Sequence, residues 1–144
     1  MNLKYNKKLI QKVIRKSDIL VVAISDSERF TKISASSNGR YNLNCIFHED
    51  KHPSMMLNRN NNNFYCLSKK CKRYGDVIAF TMKLYNLDFI SAVETLAYVF
   101  SVKLPPMDYI KIDYDVVNNI KKAKKSEVYK KLIEEEKLKT FVKK

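Results

Sequence analysis

The sequence lacks the features of membrane and secreted proteins. Its longest apolar run, residues 19–24, is far shorter than the ~20 residues that cross a bilayer. Lysines lie near its N-terminus, but no hydrophobic signal core with a small-residue cleavage site follows them. We therefore expect a cytoplasmic protein with no membrane partner.

Cysteine is also scarce. The 144 residues include three cysteines, which cannot all pair with one another, and the Cys-x-x-Cys motif of redox proteins is missing. Thiols stay reduced in the cytoplasm, so clustered cysteines there favour a metal site over disulfides.

Acidic residues are outnumbered. The chain has 28 Lys and Arg against 15 Asp and Glu, a formal net charge of +13. Such an excess is typical of proteins that bind a polyanion, most often a nucleic acid. Residues 40–75 alone carry seven basic and two acidic side chains, and the cysteines lie in this stretch. A lysine-rich background from an AT-rich genome is the alternative explanation.

Apolar spacing predicts helices on both sides of a small sheet. The helices are expected over residues 6–16, 19–25, 77–85 and 89–100, with Ser17 or Asp18, Asp76 and Asp88 as N-caps of the last three. Two hairpins are expected between them. One joins residues 29–34 to 40–45 through Asn38-Gly39, and the other joins 54–58 to 64–66 through an asparagine-rich tip.

A different composition follows Pro105-Pro106. Residues 105–144 are charged and helix-prone, with a few apolar residues such as Val117 and Leu132 but no evident folding partner. We interpret this segment as a charged helical tail or linker. The chain is therefore expected to contain a compact unit over residues 1–104, followed by the tail.

Four side chains have the spacing of a zinc site. Two residues separate Cys45 from His48, four residues separate Cys66 from Cys71, and each pair follows a predicted strand. Three thiolates and one imidazole fill the tetrahedral shell of Zn²⁺ and leave no position for water, so we expect one structural ion and no catalytic role for it. His52 is the alternative histidine ligand.

Several motifs in one order resemble the zinc-binding domain of DnaG-type bacterial DNA primases. They are "CIFHEDKHPS", "FYC", "GDVIAF" and "FISAVETLA", which begin at residues 45, 64, 75 and 89. The resemblance covers residues 7–100. It implies an α+β fold, with a zinc-ribbon-like antiparallel sheet over residues 28–76 and packing helices over 6–27 and 76–100. It also implies that Cys45, His48, Cys66 and Cys71 are the zinc ligands.

The sequence departs from the family pattern in three ways. Ile46 and His52 replace the usual Pro and Thr, and Ser91 lies near the usual helix-start Glu. The second ligand pair encloses two extra residues and a more basic loop. The acidic signature of a Toprim catalytic domain is not found in the sequence. These departures suggest a divergent relative, for example from a phage or mobile element.

The resemblance implies a DNA-binding module that recognises single-stranded template in primer synthesis. Catalysis would belong to another domain or chain, and a primase catalytic domain or replicative helicase, within a primosome, would be the partner. The candidate DNA contacts are Arg40, Lys51, Arg59, Tyr65, Lys69, Lys70, Lys72 and Arg73. The alternative is a zinc-module regulator that binds duplex DNA or a protein.

Overall fold

The computed structural model describes residues 4–26, 32–49, 52–105 and 111–142. Within these ranges, two helices precede five strands and four helices follow them. The helices are α1 (Lys7–Lys16), α2 (Ile19–Ser25), α3 (Val77–Tyr85), α4 (Phe89–Val99), α5 (Tyr114–Lys124) and α6 (Glu127–Val142). The strands are β1 (Ser34–Ala35), β2 (Arg40–Leu43), β3 (Met55–Asn58), β4 (Asn63–Cys66) and β5 (Tyr74–Asp76). This architecture confirms the predicted α+β class.

Aspartate side chains cap three of the predicted helices. Asp18 accepts from two backbone N–H groups in the first turn of α2, and Asp76 and Asp88 each accept one in α3 and α4. First-turn N–H groups have no partner inside the helix, so these carboxylates fix where each helix begins. The predicted N-caps are confirmed, with Asp18 as the cap of α2.

The strands form an antiparallel meander in the order β1-β2-β3-β4-β5. Both predicted hairpins are present, although residues 29–31 of the first lie outside the described ranges. In the first turn, Asn38 and Gly39 adopt positive φ values of 59° and 74°. The positive φ favours glycine at position 39, and a Cβ there would also lie 2.8 Å from the Asn60 side chain, which would have to move. Strand β5 was not predicted.

One face of the sheet is covered and the other is open. Tyr41, Leu57 and Phe64 lie in one cross-strand row and are buried. Side chains alternate between faces along a strand, so the next row lies on the opposite, exposed face. That row runs through Asn42, Met56, Tyr65 and Tyr74. The helices pack on the covered face, where Phe64 contacts Phe80 of α3 with ring centroids 5.8 Å apart.

The asparagine-rich hairpin tip holds the two N-terminal helices. Asn62 is buried, and its side chain accepts from Ile19 N at 2.9 Å and donates to Ile14 O and Ser17 O at 2.8 and 2.6 Å. It thereby supplies hydrogen-bond partners to backbone groups at the end of α1 and at the start of α2. Its φ of 53° is one that Asn adopts more readily than most residues.

The C-terminal segment is helical and charged, as predicted, but it has folding partners. Val116, Val117 and Ile120 of α5 are buried, and Val116 and Ile120 belong to the same core as α2 and α4. Helix α6 packs beside α2 and β1, and its Leu132 is also buried. The expectation of a tail without a partner is therefore wrong for α5 and α6, because their apolar residues complete the core. The domain boundary at residue 104 stays a prediction.

A polar cluster fixes α6 to the rest of the fold. Asp18 Oδ2 accepts from Arg59 Nε at 3.0 Å and from the Tyr129 hydroxyl at 2.7 Å. Arg59 Nη2 also donates to the Tyr129 hydroxyl at 2.8 Å. The cluster thus joins the cap of α2, the end of the β3 hairpin and α6, and each member has a hydrogen-bonded partner.

Glu94 of α4 is buried and charged. Its carboxylate accepts from Lys4 Nζ and the Tyr5 hydroxyl, both at 2.7 Å, and from Lys111 N at 2.9 Å. Burial acts to raise the pKa of Glu94, but these donors outweigh it and hold the pKa below its ordinary value. Glu94 therefore ties the N-terminus and the segment before α5 to α4.

None of the described helices combines the length and apolar composition that a membrane crossing requires.

We expect Asn62→Ala to lower the free energy of unfolding by about 2–4 kcal/mol, because it leaves buried backbone groups unpaired and places alanine at positive φ. Urea titration of the zinc-loaded protein, followed by far-UV circular dichroism, measures this. Asn62→Gly should recover up to about 1 kcal/mol, the backbone share of the loss. Asn61→Ala, at an exposed position of the same turn, is the control, and an equal loss for the two alanine variants would contradict the assigned role.

Candidate metal centre and the adjoining sheet surface

The four predicted zinc ligands converge at one end of the sheet. Cys45 and His48 lie in the loop after β2, Cys66 ends β4, and Cys71 lies in the turn that follows. The register aligns Leu43, Met55 and Cys66 across three strands, so the two ligand-bearing loops leave the sheet side by side. The hairpins therefore bring together residues that are distant in sequence.

The spacing of the ligand atoms fits a tetrahedral ion. The four atoms lie within 4.8 Å of one another, with Cys45 Sγ 3.8 Å from Cys71 Sγ and His48 Nε2 3.4 Å from Cys66 Sγ. A tetrahedral zinc with Zn–S bonds of about 2.3 Å separates two sulfurs by about 3.8 Å, and a sulfur from a nitrogen by about 3.5 Å. Zinc bound here supplies a fixed crosslink between the two loops.

Surrounding hydrogen bonds orient the ligands. His48 Nδ1 lies 2.8 Å from Glu49 O, a contact that orients the imidazole with Nε2 towards the other ligand atoms. Phe47 N donates to Cys45 Sγ at 3.4 Å, and the Ser54 hydroxyl lies at the same distance from Cys66 Sγ. These donors stabilise thiolate charge.

A tight turn compensates for the two extra residues between Cys66 and Cys71. Ser68 O accepts from both Cys71 N and Lys72 N at 3.1 Å, and Lys72 adopts a φ of 49°. Cys66 N then donates to Arg73 O at 2.8 Å, which starts the pairing of β4 with β5. The turn curls the chain back, so Cys71 reaches the same ion as Cys66. We call residues 67–73 the knuckle.

The thiols of Cys45 and Cys66 differ in pKa before metal binds. Burial raises the pKa of the Cys45 thiol to about 12. Burial acts in the same direction at Cys66, but hydrogen bonds from Ser54 and His48 outweigh it and lower the pKa to about 7. A coordinating thiol is deprotonated outright, so zinc binding releases protons and weakens as the pH falls.

Comparison with known proteins agrees with this geometry. Residues 5–112 match the family profile described as the CHC2 zinc finger of DnaG, in which one Cys, one His and two Cys are the ligands. Cys45, His48, Cys66 and Cys71 occur in that order. The chain belongs to the DnaG-type CHC2 zinc finger family.

Individual relatives are DNA primases. This CHC2 zinc finger is 34% identical over 76 residues to the DNA primase of Buchnera aphidicola from Acyrthosiphon pisum, covering 52% of this chain and 13% of that protein. It is 33% identical over 86 residues to the DNA primase of Rickettsia bellii, covering 60% of this chain and 14% of that protein. The chain therefore spans about a seventh of these relatives.

A solved structure shares the fold. The Aquifex aeolicus primase, whose crystal structure contains zinc-binding and RNA polymerase domains, aligns with a TM-score of 0.55 and 27% identity. The alignment covers 75% of this chain and 24% of that chain. The likeness to a primase is thus one of fold as well as sequence.

The histidine ligand is His48. His52 is exposed and is not among the residues whose ligand atoms converge, so it does not replace His48 in the geometry. Within the described residues, this cluster is the one group of three or more Cys, His, Asp or Glu side chains able to hold a metal.

The predicted basic DNA contacts differ in exposure and in the partners that their side chains have. Five basic side chains are exposed: Arg40 at the end of the sheet away from the metal, and Lys69, Lys70, Lys72 and Arg73 in the knuckle. Lys51 lies outside the described residues. Arg59 differs from the rest, because its guanidinium is engaged by Asp18 and Tyr129. These contacts give Arg59 a structural role, and its role as a DNA contact stays a prediction.

The aromatic residues of the strands divide between the surface and the core. Tyr65 is 40% exposed, as a stacking residue requires, whereas Tyr41 and Phe64 belong to the core. Phe47 stacks on Phe64 at 5.4 Å under the Arg73 guanidinium, so it links the metal loop to the core. Tyr74, 77% exposed, is the residue that sequence reasoning missed. Strand β5 is too short to give an alternating signal, and Tyr74 is placed by its register with Tyr65.

Cys66→Ser is expected to lose zinc and unfold the hairpins, because structural zinc contributes roughly 10 kcal/mol or more in small domains. Atomic emission on purified protein measures the metal, and circular dichroism measures the fold. His48→Ala should also lose zinc, whereas the matched His52→Ala should keep one ion per chain. Zinc retained in His48→Ala and lost in His52→Ala would overturn the assignment.

Proposed function

We propose that this chain is the template-binding zinc module of a bacterial-type primase. It holds single-stranded DNA against the open face of the sheet and the knuckle while primers are made. Catalysis belongs to another domain or chain. The proposed compartment is the cytoplasm, where bacterial DNA is replicated.

The observation that carries this proposal is a pair of exposed aromatic rings on the open face. Tyr65 and Tyr74 are direct cross-strand partners on β4 and β5. Opposite residues in an antiparallel pair have Cβ atoms roughly 5 Å apart, so the two rings form one platform. Stacking of a base on an aromatic side chain contributes about 1–3 kcal/mol and is open to unpaired bases.

Cations flank the platform on both sides. Lys69, Lys70, Lys72 and Arg73 lie at the metal end of the sheet, and Arg40 lies at the far end of β2. A four-residue strand spans roughly 10–14 Å, so phosphates on either side of a stacked base fall within reach of these groups. The arrangement is that of a single-strand binding groove, which combines stacking with phosphate contacts.

The partner is proposed from the relatives. The curated relatives are DNA primases, and the Aquifex protein joins zinc-binding to RNA polymerase domains. We propose that this module acts with a primase catalytic domain, and that a replicative helicase at the primosome is a further partner. Exposed Leu138 and Phe141 near the end of α6 offer apolar surface for such contacts.

The affinity for single-stranded DNA should fall steeply with salt, because each phosphate contact contributes about −0.7 to the log–log slope. Replacing Lys69, Lys70, Lys72 and Arg73 with Ala should weaken binding and flatten the slope by up to about 3. Arg40→Ala should flatten it by about 0.7. Fluorescence anisotropy over a range of salt concentrations measures both, with zinc content checked for each variant.

The control removes the same number of positive charges from α5 and its C-cap, at Lys121, Lys122, Lys124 and Lys125. This variant should bind as the parent does, apart from a small long-range effect. Binding that survives the knuckle change and is lost in the α5 change would place the DNA on the C-terminal helices. Tighter binding to duplex than to single strands at matched salt would favour a duplex-binding regulator instead.

The purified chain is expected to make no primers. The test supplies nucleotides, Mg²⁺ or Mn²⁺ and single-stranded template, and product is resolved on a gel. A reaction to which a primase catalytic domain is added is the positive control. The acidic side chains Asp88, Asp113 and Asp115 line one groove, so their Asn variants are the ones to examine. Metal-dependent product from the chain alone, abolished by one of these changes, would show a catalytic centre in this chain.

A further inference from the structure

A groove lies on the open face between β4 and β5. It encloses about 560 Å³ and is lined by Asn63, Phe64, Tyr65, Tyr74, Gly75 and Asp76. The register places Tyr65 opposite Tyr74 and Asn63 opposite Asp76, so four side chains form its corners. Its floor is the backbone of the two strands, because Phe64 turns to the core and a Cβ on Gly75 would point to the same side, 3.1 Å from Phe64 and Ala79.

The two ends of the groove differ in chemistry. The tyrosine pair is aromatic, and the Asn63–Asp76 pair is polar. Same-face neighbours on a strand are about 6.6 Å apart, roughly the width of a nucleobase. One base can therefore stack on the rings while its edge reaches the polar pair.

Asp76 is a negatively charged residue in a groove that is proposed to lie beside DNA phosphates. A carboxylate repels the DNA backbone and accepts hydrogen bonds, so this end of the groove suits a base edge that donates them. Its Oδ1 accepts from Ala79 N at 2.9 Å, which fixes the carboxylate at the start of α3. Within the described residues, Oδ2 has no hydrogen-bonded partner.

We infer that this groove selects a guanine of the single-stranded template. Guanine is the base whose Watson–Crick edge presents two adjacent donors, N1–H and N2–H₂, and a carboxylate accepts both. The Asn63 amide can donate to O6 beside them, and the ring stacks on Tyr65 and Tyr74. Cytosine, adenine and thymine each offer this carboxylate a single donor group. The inference rests on the proposed binding of single strands.

The test uses the zinc-loaded full chain and thymidine oligomers of about 12 nucleotides, a length in the range of single-strand sites. Each oligomer carries one central guanine, cytosine, adenine or thymine. Anisotropy titration should show the guanine oligomer binding about 10-fold more tightly than the others, since a good bidentate contact discriminates by about 1–3 kcal/mol.

Asp76→Asn should abolish this preference, so that the guanine oligomer binds no more tightly than the all-thymidine oligomer. Asparagine is a good N-cap, so α3 stays intact. Asp88→Asn is the matched control, because Asp88 caps α4 in the same way outside the groove and the guanine preference should persist.

The outcomes separate this inference from the proposed function. Equal binding of all four oligomers, or a preference for another base, overturns guanine selection and leaves single-strand binding standing. Persistence of the preference in Asp76→Asn overturns the role of Asp76. Failure of every oligomer to bind overturns both proposals.

Discussion

Closure of two loops on one zinc ion is the constraint on which the rest of the structure depends. The strands have two to four residues each, too short for a sheet of this size to hold its register on backbone pairing alone. Zinc joins the loop after β2 to the end of β4 and the knuckle, and so fixes one end of the sheet. At the opposite end, Asn62 attaches the β3–β4 hairpin to the α1–α2 junction. The sheet is thus held at both ends, by a metal and by a buried amide.

The fixed register decides what the open face presents. Side chains alternate between the two faces along β2 and β4, which places Tyr41 and Phe64 inward and Tyr65 outward. A shift of the strand register by one residue would exchange the inward and outward side chains. The zinc crosslink therefore acts on the surface indirectly, by setting which aromatic rings and charges point to solvent. The helices cover the inward face, including α5 and α6, whose apolar residues the core requires. The positive charge of the knuckle remains exposed because it lies beyond the end of the sheet.

Much of this fold follows from local patterns. Asp76 and Asp88 predict helix starts because a short carboxylate side chain reaches the first free N–H groups, and Asn38-Gly39 predicts a turn because both residues tolerate positive φ. The zinc ligands were also predictable, since thiols and imidazoles in this spacing are uncommon without a metal. Glu94 and Arg59 could not be assigned in the same way. A charged residue appears solvent-exposed in sequence, and its burial becomes visible when residues about 40 to 90 positions away are found as its partners.

The sequence by itself determined the class of the protein, its metal ligands and the positions of its first four helices, because local spacing carries the signal for each ligand pair and each of these helices. Tertiary structure decided the rest. It placed Tyr74 beside Tyr65 through a strand of three residues, and engaged Arg59 in a cluster with Asp18 and Tyr129. It also brought α5 and α6 into the core. The physical reason is that cross-strand register and burial are set by contacts between distant segments, which local hydrophobic spacing and turn chemistry do not encode.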